Sequence, residues 1–97
     1  MSRVSGKPYS IYVIWSDSGK RFYTGIAEDP ENRLLQHNSP QGRHWTGRFR
    51  PWRLVYHEQL PDFTAARQRE NDLKKQKGSR GFFEKTGLDP ASFGRGS

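Results

Sequence analysis

The chain has 97 residues, 31% hydrophobic and 28% charged, which predicts one small domain whose modest core depends on its three Trp, four Tyr and six Phe. Its 17 Lys and Arg against 10 Asp and Glu give a net charge of +7, which favours nucleic acid as a partner, although composition alone leaves a ribosome-associated or merely soluble basic protein open. The absence of cysteine excludes disulfides, a thiolate zinc site and a cysteine nucleophile, and the lack of a long apolar run or a signal-peptide pattern predicts a cytoplasmic protein that does not bind membranes.

The first predicted element is a β-hairpin, preceded by a flexible polar arm at residues 1–8. Tyr9–Ser16 is rich in aromatic and β-branched residues on both faces, which is typical of a central strand covered on two sides. Asp17–Lys20 is a turn, and Arg21–Ile26 is the return strand.

Two helices and a third strand are predicted after the hairpin. Asp29 is a suitable N-cap and Pro30 a suitable first helical residue, so the first helix begins there and ends near Asn38. The later elements are a basic loop at 41–50, a strand within Pro51–Gln59, a helix from Phe63 to about Gln76, a short turn at Phe82–Lys85 and a mobile tail at 86–97 in which Phe93 is able to dock. This β-β-α-β-α order predicts an α+β domain over residues 9–85, with a three-stranded antiparallel sheet flanked by helices.

The second predicted helix places a carboxylate among core residues. Phe63, Ala66 and Leu73 define an inward stripe at helical spacing, and Glu70 falls in the same stripe. A carboxylate in that position requires a cation or a metal to offset its desolvation. A buried ion pair with an arginine, which is the commoner arrangement, and a metal site both remain open.

The hairpin carries two tyrosines whose placement depends on the turn. A four-residue turn pairs Ser16 with Arg21, sets Tyr12 opposite Gly25 and makes Tyr23 the diagonal neighbour of Tyr12 on the same face, about 7 Å away. A register shift of one residue would separate the rings, and an ordinary aromatic core is the simpler interpretation.

The first predicted helix carries Arg33 and His37, which share a face because they lie four positions apart. Alone, this pair is typical of a solvated helix face with a half-buried histidine. Together with the tyrosines and the glutamate, however, it is expected to converge on one face of the sheet. A carboxylate for a metal, a base for water and a cation for phosphate charge are what phosphodiester hydrolysis needs.

From Tyr9 to about Gln76 the sequence resembles the GIY-YIG nucleases. Ser10–Tyr12 and Tyr23–Gly25 match the two signature triplets, and the second tyrosine follows the first by eleven positions. HWTGRFRP followed by WRLVYHE is similar to the small single-domain subgroup of the family. The serine of the first triplet and the threonine of the second depart from the signature without carrying chemistry, and no late asparagine matches the residue with which the family often holds phosphate.

The family's helix residues also have counterparts here. Arg33 follows Tyr23 by ten positions and His37 comes four later, matching the family's arginine and its His-or-Tyr position, while Glu70 matches the metal-binding glutamate. The resemblance implies that Glu70 binds one Mg²⁺ or Mn²⁺ and that Arg33 holds the scissile phosphate. It also suggests that Tyr12 deprotonates the attacking water, with its pKa lowered by nearby cations, that His37 accepts or orients the Tyr12 proton, and that Tyr23 positions water or phosphate.

Substrate contacts are expected from cations and aromatic rings outside this site. The expected nucleic-acid-binding residues are Arg43, Trp45, Arg48 and Arg50 of the basic loop and Lys74 and Lys75 of the second helix. Cations suit phosphates and aromatic rings such as Trp45 and Phe49 suit base stacking, although a Trp45 docked in the core beside solvated arginines is equally open.

The sequence therefore predicts a metal-dependent DNA endonuclease of little sequence specificity. It is expected to act as a monomer, without a small-molecule cofactor, on single-stranded or structured DNA in repair, recombination or DNA uptake, with RNA left open as a substrate. One alternative is a non-catalytic nucleic-acid-binding module that keeps the fold, and another is a non-catalytic subunit of a larger repair complex.

Overall fold

The computed structural model of the protein describes residues 7–39, 48–76 and 80–93. The elements are the strands β1 (Tyr9–Ser16), β2 (Arg21–Ala27) and β3 (Trp52–Leu60), the helices α1 (Pro30–Asn38), α2 (Phe63–Lys75) and α3 (Arg80–Thr86), and a 3₁₀ turn at Pro90–Phe93. The predicted α+β class and three-stranded antiparallel sheet are confirmed. Most of the predicted arm, most of the basic loop and the end of the tail lie outside the described residues. In the described ranges, no helix has the length and apolarity needed to cross a membrane.

The sheet has the strand order β2-β1-β3. Every residue of β1 after Tyr9 is buried, because its apolar side chains on both faces are covered and a neighbouring strand pairs with each edge. The hairpin pairs Ser16 with Arg21 and Tyr12 with Gly25, which is the register that the four-residue turn predicted.

The helices pack on opposite faces of the sheet. One face packs against α2 and α3 in a cluster that contains Ile11, Val13, Trp15, Phe22, Ala66, Leu73, Phe82, Phe83 and Phe93. The other face carries Tyr12, Ile14 and Trp52, against which Leu34 of α1 packs. Side chains that alternate along β1 therefore enter two separate cores, and only the second contains the signature tyrosines.

Local hydrogen bonds explain where the long helices begin. The Asp29 carboxylate accepts a hydrogen bond from the backbone N–H of Asn32 at 3.2 Å, and Asp62 accepts one from Ala65 at 2.9 Å. Phe63 was predicted to face inward, and this is wrong, because it is 46% exposed. It is the first residue of α2, and its ring packs edge-on against Tyr9 at 5.3 Å instead of joining the cluster.

Two further contacts attach the end of α1 and the predicted tail to the sheet. The Asn38 side chain at the end of α1 donates to the carbonyl of Trp52 at 2.9 Å and accepts from its N–H at 2.6 Å, which ties α1 to the start of β3. In the predicted tail, the ring of Phe93 lies 5.1 Å from those of Trp15 and Phe22, so the docking that its aromatic character allowed does occur.

Candidate active site

The phenol of Tyr12 is at the centre of the site. Its ring crosses Gly25 in the neighbouring strand so closely that a Cβ there would lie 2.6 Å from Tyr12 Oη. Tyr12 Oη lies 2.9 Å from Nε2 of His37, and the two residues are only 1% and 2% exposed. The hydrogen bond between strand and helix is therefore shielded from water, and the glycine is required by the position of the ring.

Tyr23 lies beside this pair on the same face of the sheet. Its ring centroid is 6.2 Å from that of Tyr12 and 5.0 Å from that of His37. Trp52 meets it edge-on at 6.5 Å. The same-face placement predicted from the turn length is confirmed. Because Tyr23 is half-buried, its side chain is the more accessible of the two phenols.

Arg33 lies one helical turn before His37 on α1. Its Nη1 donates to Oε1 of Gln36 at 3.1 Å, whereas its Nε is buried and has no hydrogen-bond partner among the described residues. A buried guanidinium N–H without an acceptor is costly, and a phosphate oxygen matches its geometry and charge. Arg33 is also close enough to Tyr12 to act on the ionisation of its phenol.

Glu70 approaches the site from the opposite side of the sheet. It belongs to α2, which packs on the face away from Tyr12, so the prediction that all five groups converge on one face is wrong. The Tyr12 ring extends over the outer strand β2, and α2 contacts β2 from the other side. The Glu70 charge acts on the Tyr12 phenol across this edge of the sheet.

The carboxylate of Glu70 already has a cation partner. Its side chain is 14% exposed, and Oε2 lies 3.0 Å from Nζ of Lys74, four residues later on α2. The sequence pattern left an arginine partner or a metal open, and the structure pairs this glutamate with a lysine.

The pKa of Tyr12 is set by a balance between burial and charge. Burial raises this pKa to about 12, and the nearby Tyr23 and Glu70 add to the rise, while the neighbouring guanidinium of Arg33 opposes it. The expectation that neighbouring cations lower the pKa of Tyr12 is therefore wrong. The loss of water around the phenol outweighs the effect of the Arg33 guanidinium.

Comparison with protein families matches the GIY-YIG catalytic domain to residues 8–83. The chain belongs to the GIY-YIG family. This confirms the resemblance noted in the sequence.

Related proteins extend this assignment. A UPF0213 protein of Staphylococcus saprophyticus is 39% identical over 64 residues, which cover 66% of this chain and 77% of that protein. A UPF0213 protein of Autographa californica nuclear polyhedrosis virus is 33% identical over 73 residues, or 74% of this chain and 69% of that protein. The structure-specific endonuclease subunit SLX1 of Meyerozyma guilliermondii is 39% identical over 83 residues, or 79% of this chain and 28% of that protein. The family and the last relative support a nuclease.

Glu70 is the candidate metal ligand of this GIY-YIG domain. No three His, Cys, Asp or Glu side chains gather into a metal cage within the ranges that the structure describes. Mg²⁺ suits a site of this kind, because it keeps several waters and is usually held by one or two carboxylates and by substrate phosphates. A half-buried carboxylate therefore fits such an ion, provided that Oε2 releases the ammonium of Lys74.

The predicted nucleic-acid-binding residues of this GIY-YIG domain fall into three groups. Arg43 and Trp45 lie outside the described residues. Arg48, Arg50 and Lys75 are exposed, and Arg50 donates to the carbonyl of Ser39 at 3.3 Å. Lys74 is also exposed but pairs with the candidate metal ligand.

Sequence reasoning missed Arg21. Its guanidinium carbon lies 4.3 Å from the centroid of the Phe49 ring, and that of Arg48 lies 5.9 Å from it. The available signal was a cation directly after the hairpin turn, but the partner ring is 28 positions away in the chain.

Proposed function

We propose that this chain is a divalent-metal-dependent endonuclease that hydrolyses phosphodiester bonds in DNA with little sequence specificity. One observation carries the proposal: the buried phenol of Tyr12 is hydrogen-bonded to His37 and lies close enough to Arg33 of α1 and Glu70 of α2 for both charges to affect its ionisation. An ordinary aromatic core would not need that combination, because each charge costs desolvation free energy.

The first proposed role is phosphate binding by Arg33. Its buried Nε, which has no hydrogen-bond partner in the part of the chain that the structure describes, provides a donor that a non-bridging phosphate oxygen would satisfy. The guanidinium would then stabilise the negative charge that develops on the phosphorus centre during attack. Tyr23, at the accessible side of the same cluster, would orient the phosphate or the attacking water.

The second proposed role is proton transfer through Tyr12 and His37. With a pKa of about 12, Tyr12 does not provide a ready phenolate near neutral pH. It would instead accept the proton of the attacking water as its own proton passes to Nε2 of His37, 2.9 Å away. This transfer keeps the phenol neutral overall, so the raised pKa does not prevent it.

The third proposed role is metal binding by Glu70, whose carboxylate would take Mg²⁺ or Mn²⁺. When bound, such an ion supplies positive charge to the phosphate oxygens and to the leaving oxygen. Lys74 would be released from the carboxylate at the same time, and its ammonium would become available to a neighbouring phosphate.

Weak sequence specificity and the choice of substrate belong to the same proposal. The cation of the site, Arg33, is proposed to bind phosphate, and phosphate contacts carry no base sequence information. One relative is named as a structure-specific endonuclease subunit, which favours single-stranded or branched DNA and a role in repair, recombination or DNA uptake.

A cleavage assay tests the proposal. Plasmid, duplex and single-stranded DNA are incubated with Mg²⁺, Mn²⁺ or chelator, using the wild type, Glu70→Gln and Glu58→Gln. Glu58 is a matched control, because it is also half-buried and paired with a cation, Arg69 at 2.9 Å, but lies outside the site. We expect metal-dependent cleavage by the wild type and Glu58→Gln, and a loss of about 100-fold or more in Glu70→Gln.

Two results would contradict this function. Cleavage that persists in chelator, or that is equal in Glu70→Gln and Glu58→Gln, would exclude the proposed metal role of Glu70. Salt-sensitive DNA binding by a correctly folded wild type that cuts none of the three substrates would identify a non-catalytic binding module.

A further inference from the structure

Two arginines meet on one phenylalanine at the hairpin end of the sheet. The guanidinium carbons of Arg21 and Arg48 lie 4.3 and 5.9 Å from the centroid of the Phe49 ring, and Nε of Arg21 donates to the carbonyl of Gly19 at 3.3 Å. Both arginines are exposed. Stacking and hydrogen bonding restrict the guanidinium of Arg21, so less side-chain entropy is lost when it binds an anion. We call these three residues the Phe49 arginine surface.

The backbone under this surface is fixed to the hairpin turn. The hydroxyl of Ser16 donates to the carbonyl of Phe49 at 2.6 Å, and that of Ser18 lies 3.3 Å from the same oxygen. A Cβ on Gly19 would lie 2.7 Å from the Phe49 ring, so the ring packs directly against the turn. Arg21 of β2 therefore lies beside a phenylalanine that is anchored to the turn, and Arg48 directly precedes that phenylalanine in the chain.

A continuous row of rings joins this surface to the candidate active site. Phe49 lies 6.5 Å from Trp52, Trp52 lies 6.5 Å from Tyr23, and Tyr23 lies 6.2 Å from Tyr12. All four belong to the cluster on the α1 face of the sheet. These distances place the two arginines within a few nucleotides of a phosphate bound at the active site.

An arginine on the opposite face provides the contrast. Arg53 also lies at this end of the sheet, with its guanidinium carbon 5.8 Å from the Phe93 ring. Its Nε, however, is 3.6 Å from the carboxylate of Asp17, so its charge is already partly balanced. No carboxylate pairs with Arg21 or Arg48 within the described residues. The unbalanced charge is thus on the face that carries the signature tyrosines.

We propose that the Phe49 arginine surface binds the phosphate backbone of the DNA strand on one side of the scissile bond. This inference rests on the proposed function. The ring of Phe49 is in contact with guanidinium groups, the hairpin turn and Trp52, so it supports the arginines instead of stacking on bases. The expectation that Phe49 stacks on nucleotides is replaced by phosphate binding that is independent of base sequence.

The salt dependence of DNA binding tests this surface. Arg21→Gln, Arg48→Gln and the matched control Arg53→Gln are compared with the wild type in chelator, which prevents cleavage, using oligo-dT, oligo-dA and a duplex. The slope of log affinity against log salt is negative, and each lost phosphate contact reduces its magnitude by about 0.7 on single strands and about 0.9 on duplex. We expect this decrease in Arg21→Gln and Arg48→Gln on all substrates, and the wild-type slope in Arg53→Gln.

Three outcomes would overturn the inference. The first is an equal slope for Arg21→Gln and Arg53→Gln in proteins with wild-type melting temperatures. The second is a loss of affinity restricted to oligo-dT or to oligo-dA, which would indicate base recognition. The third is absence of DNA binding by the wild type at low salt, which would also remove the proposed function. If DNA binds but is never cut, only the nuclease proposal fails, and the slopes alone decide the role of this surface.

Discussion

Replacing Gly25 by alanine is expected to displace the Tyr12 ring from its position over β2. A Cβ at residue 25 would lie 2.6 Å from Tyr12 Oη and 2.8 Å from Cζ, whereas ordinary contacts begin at 3.4 Å, so the ring must move by about 0.8 Å. Tyr12 is 1% exposed and His37 packs against it, so the ring cannot relax into solvent. A shift of that size away from His37 takes this 2.9 Å contact out of the hydrogen-bonding range, and a shift of the same size towards His37 makes the contact too short, so the hydrogen bond is disrupted in either direction.

The size of the effect follows from these contacts. Overpacking a buried site costs about 1–3 kcal/mol, and the loss of one buried hydrogen bond adds about 1 kcal/mol. The free energy of unfolding of Gly25→Ala should therefore fall by about 2–4 kcal/mol, measured by urea denaturation. Because a displacement of about 1 Å at a catalytic group can cost about 100-fold in rate, single-turnover cleavage should slow by a similar factor.

Two controls isolate the clash between residues 25 and 12. Gly81→Ala places its Cβ against the flexible end of the Gln76 side chain, so it should lower stability by less than about 0.5 kcal/mol, and the greater helix propensity of alanine acts in the opposite direction. Removing the hydroxyl with Tyr12→Phe eliminates the closest contact, so Gly25→Ala should cost less in that background. Wild-type stability and cleavage in Gly25→Ala would refute the reasoning.

Other predictions concern the contact between α1 and β3, the candidate metal ligand and the dependence of stability on pH. Asn38→Ala should lower the free energy of unfolding in urea by about 1–3 kcal/mol, because it leaves two backbone groups of β3 without their partner, and an unchanged midpoint would exclude that role. Lys74→Met should tighten Mg²⁺ binding at least about twofold relative to Lys75→Met, because Lys74, unlike Lys75, pairs with Glu70. Amide NMR shifts of α2 at constant ionic strength measure the two affinities, and equal affinities would contradict this prediction. Between pH 9 and 11 the wild type should lose about 1 kcal/mol of stability that Tyr12→Phe does not lose, because the folded-state pKa of Tyr12, about 12, exceeds its ordinary value and the stabilisation disappears as pH rises towards it. Parallel pH profiles of the two proteins would show that the Tyr12 phenol is not desolvated.

Much of the site was predictable because it depends on short-range patterns. The four-residue turn pairs Ser16 with Arg21, and alternation along the strands then brings Tyr12 opposite Gly25 with Tyr23 on the same face. Asp29 caps α1 and so fixes the residue at which the helix begins, which in turn fixes the faces on which its later side chains lie. These relations act over a few residues, where the geometry of turns, strands and caps leaves few alternatives.

Other features of the site depend on which elements meet in space. The stripe that contains Glu70 was recognisable from the sequence. The packing of α2 on the face away from Tyr12 was not, because the spacing of residues in one helix does not specify which face of a sheet the helix covers. Phe63 follows the same periodicity and is exposed, since the first turn of α2 contributes less to the core than Ala66 and Leu73.

The amino-acid sequence alone determined the family, the order of the elements, the hairpin register and which residues form the candidate site. Tertiary structure decided the surroundings of each side chain: burial raises the pKa of Tyr12, Lys74 pairs with Glu70, and Arg21, which was not predicted, stacks on Phe49. The physical reason is one of range, because turns and caps are set by neighbours in the chain, whereas desolvation and ion pairing depend on the three-dimensional packing around each group.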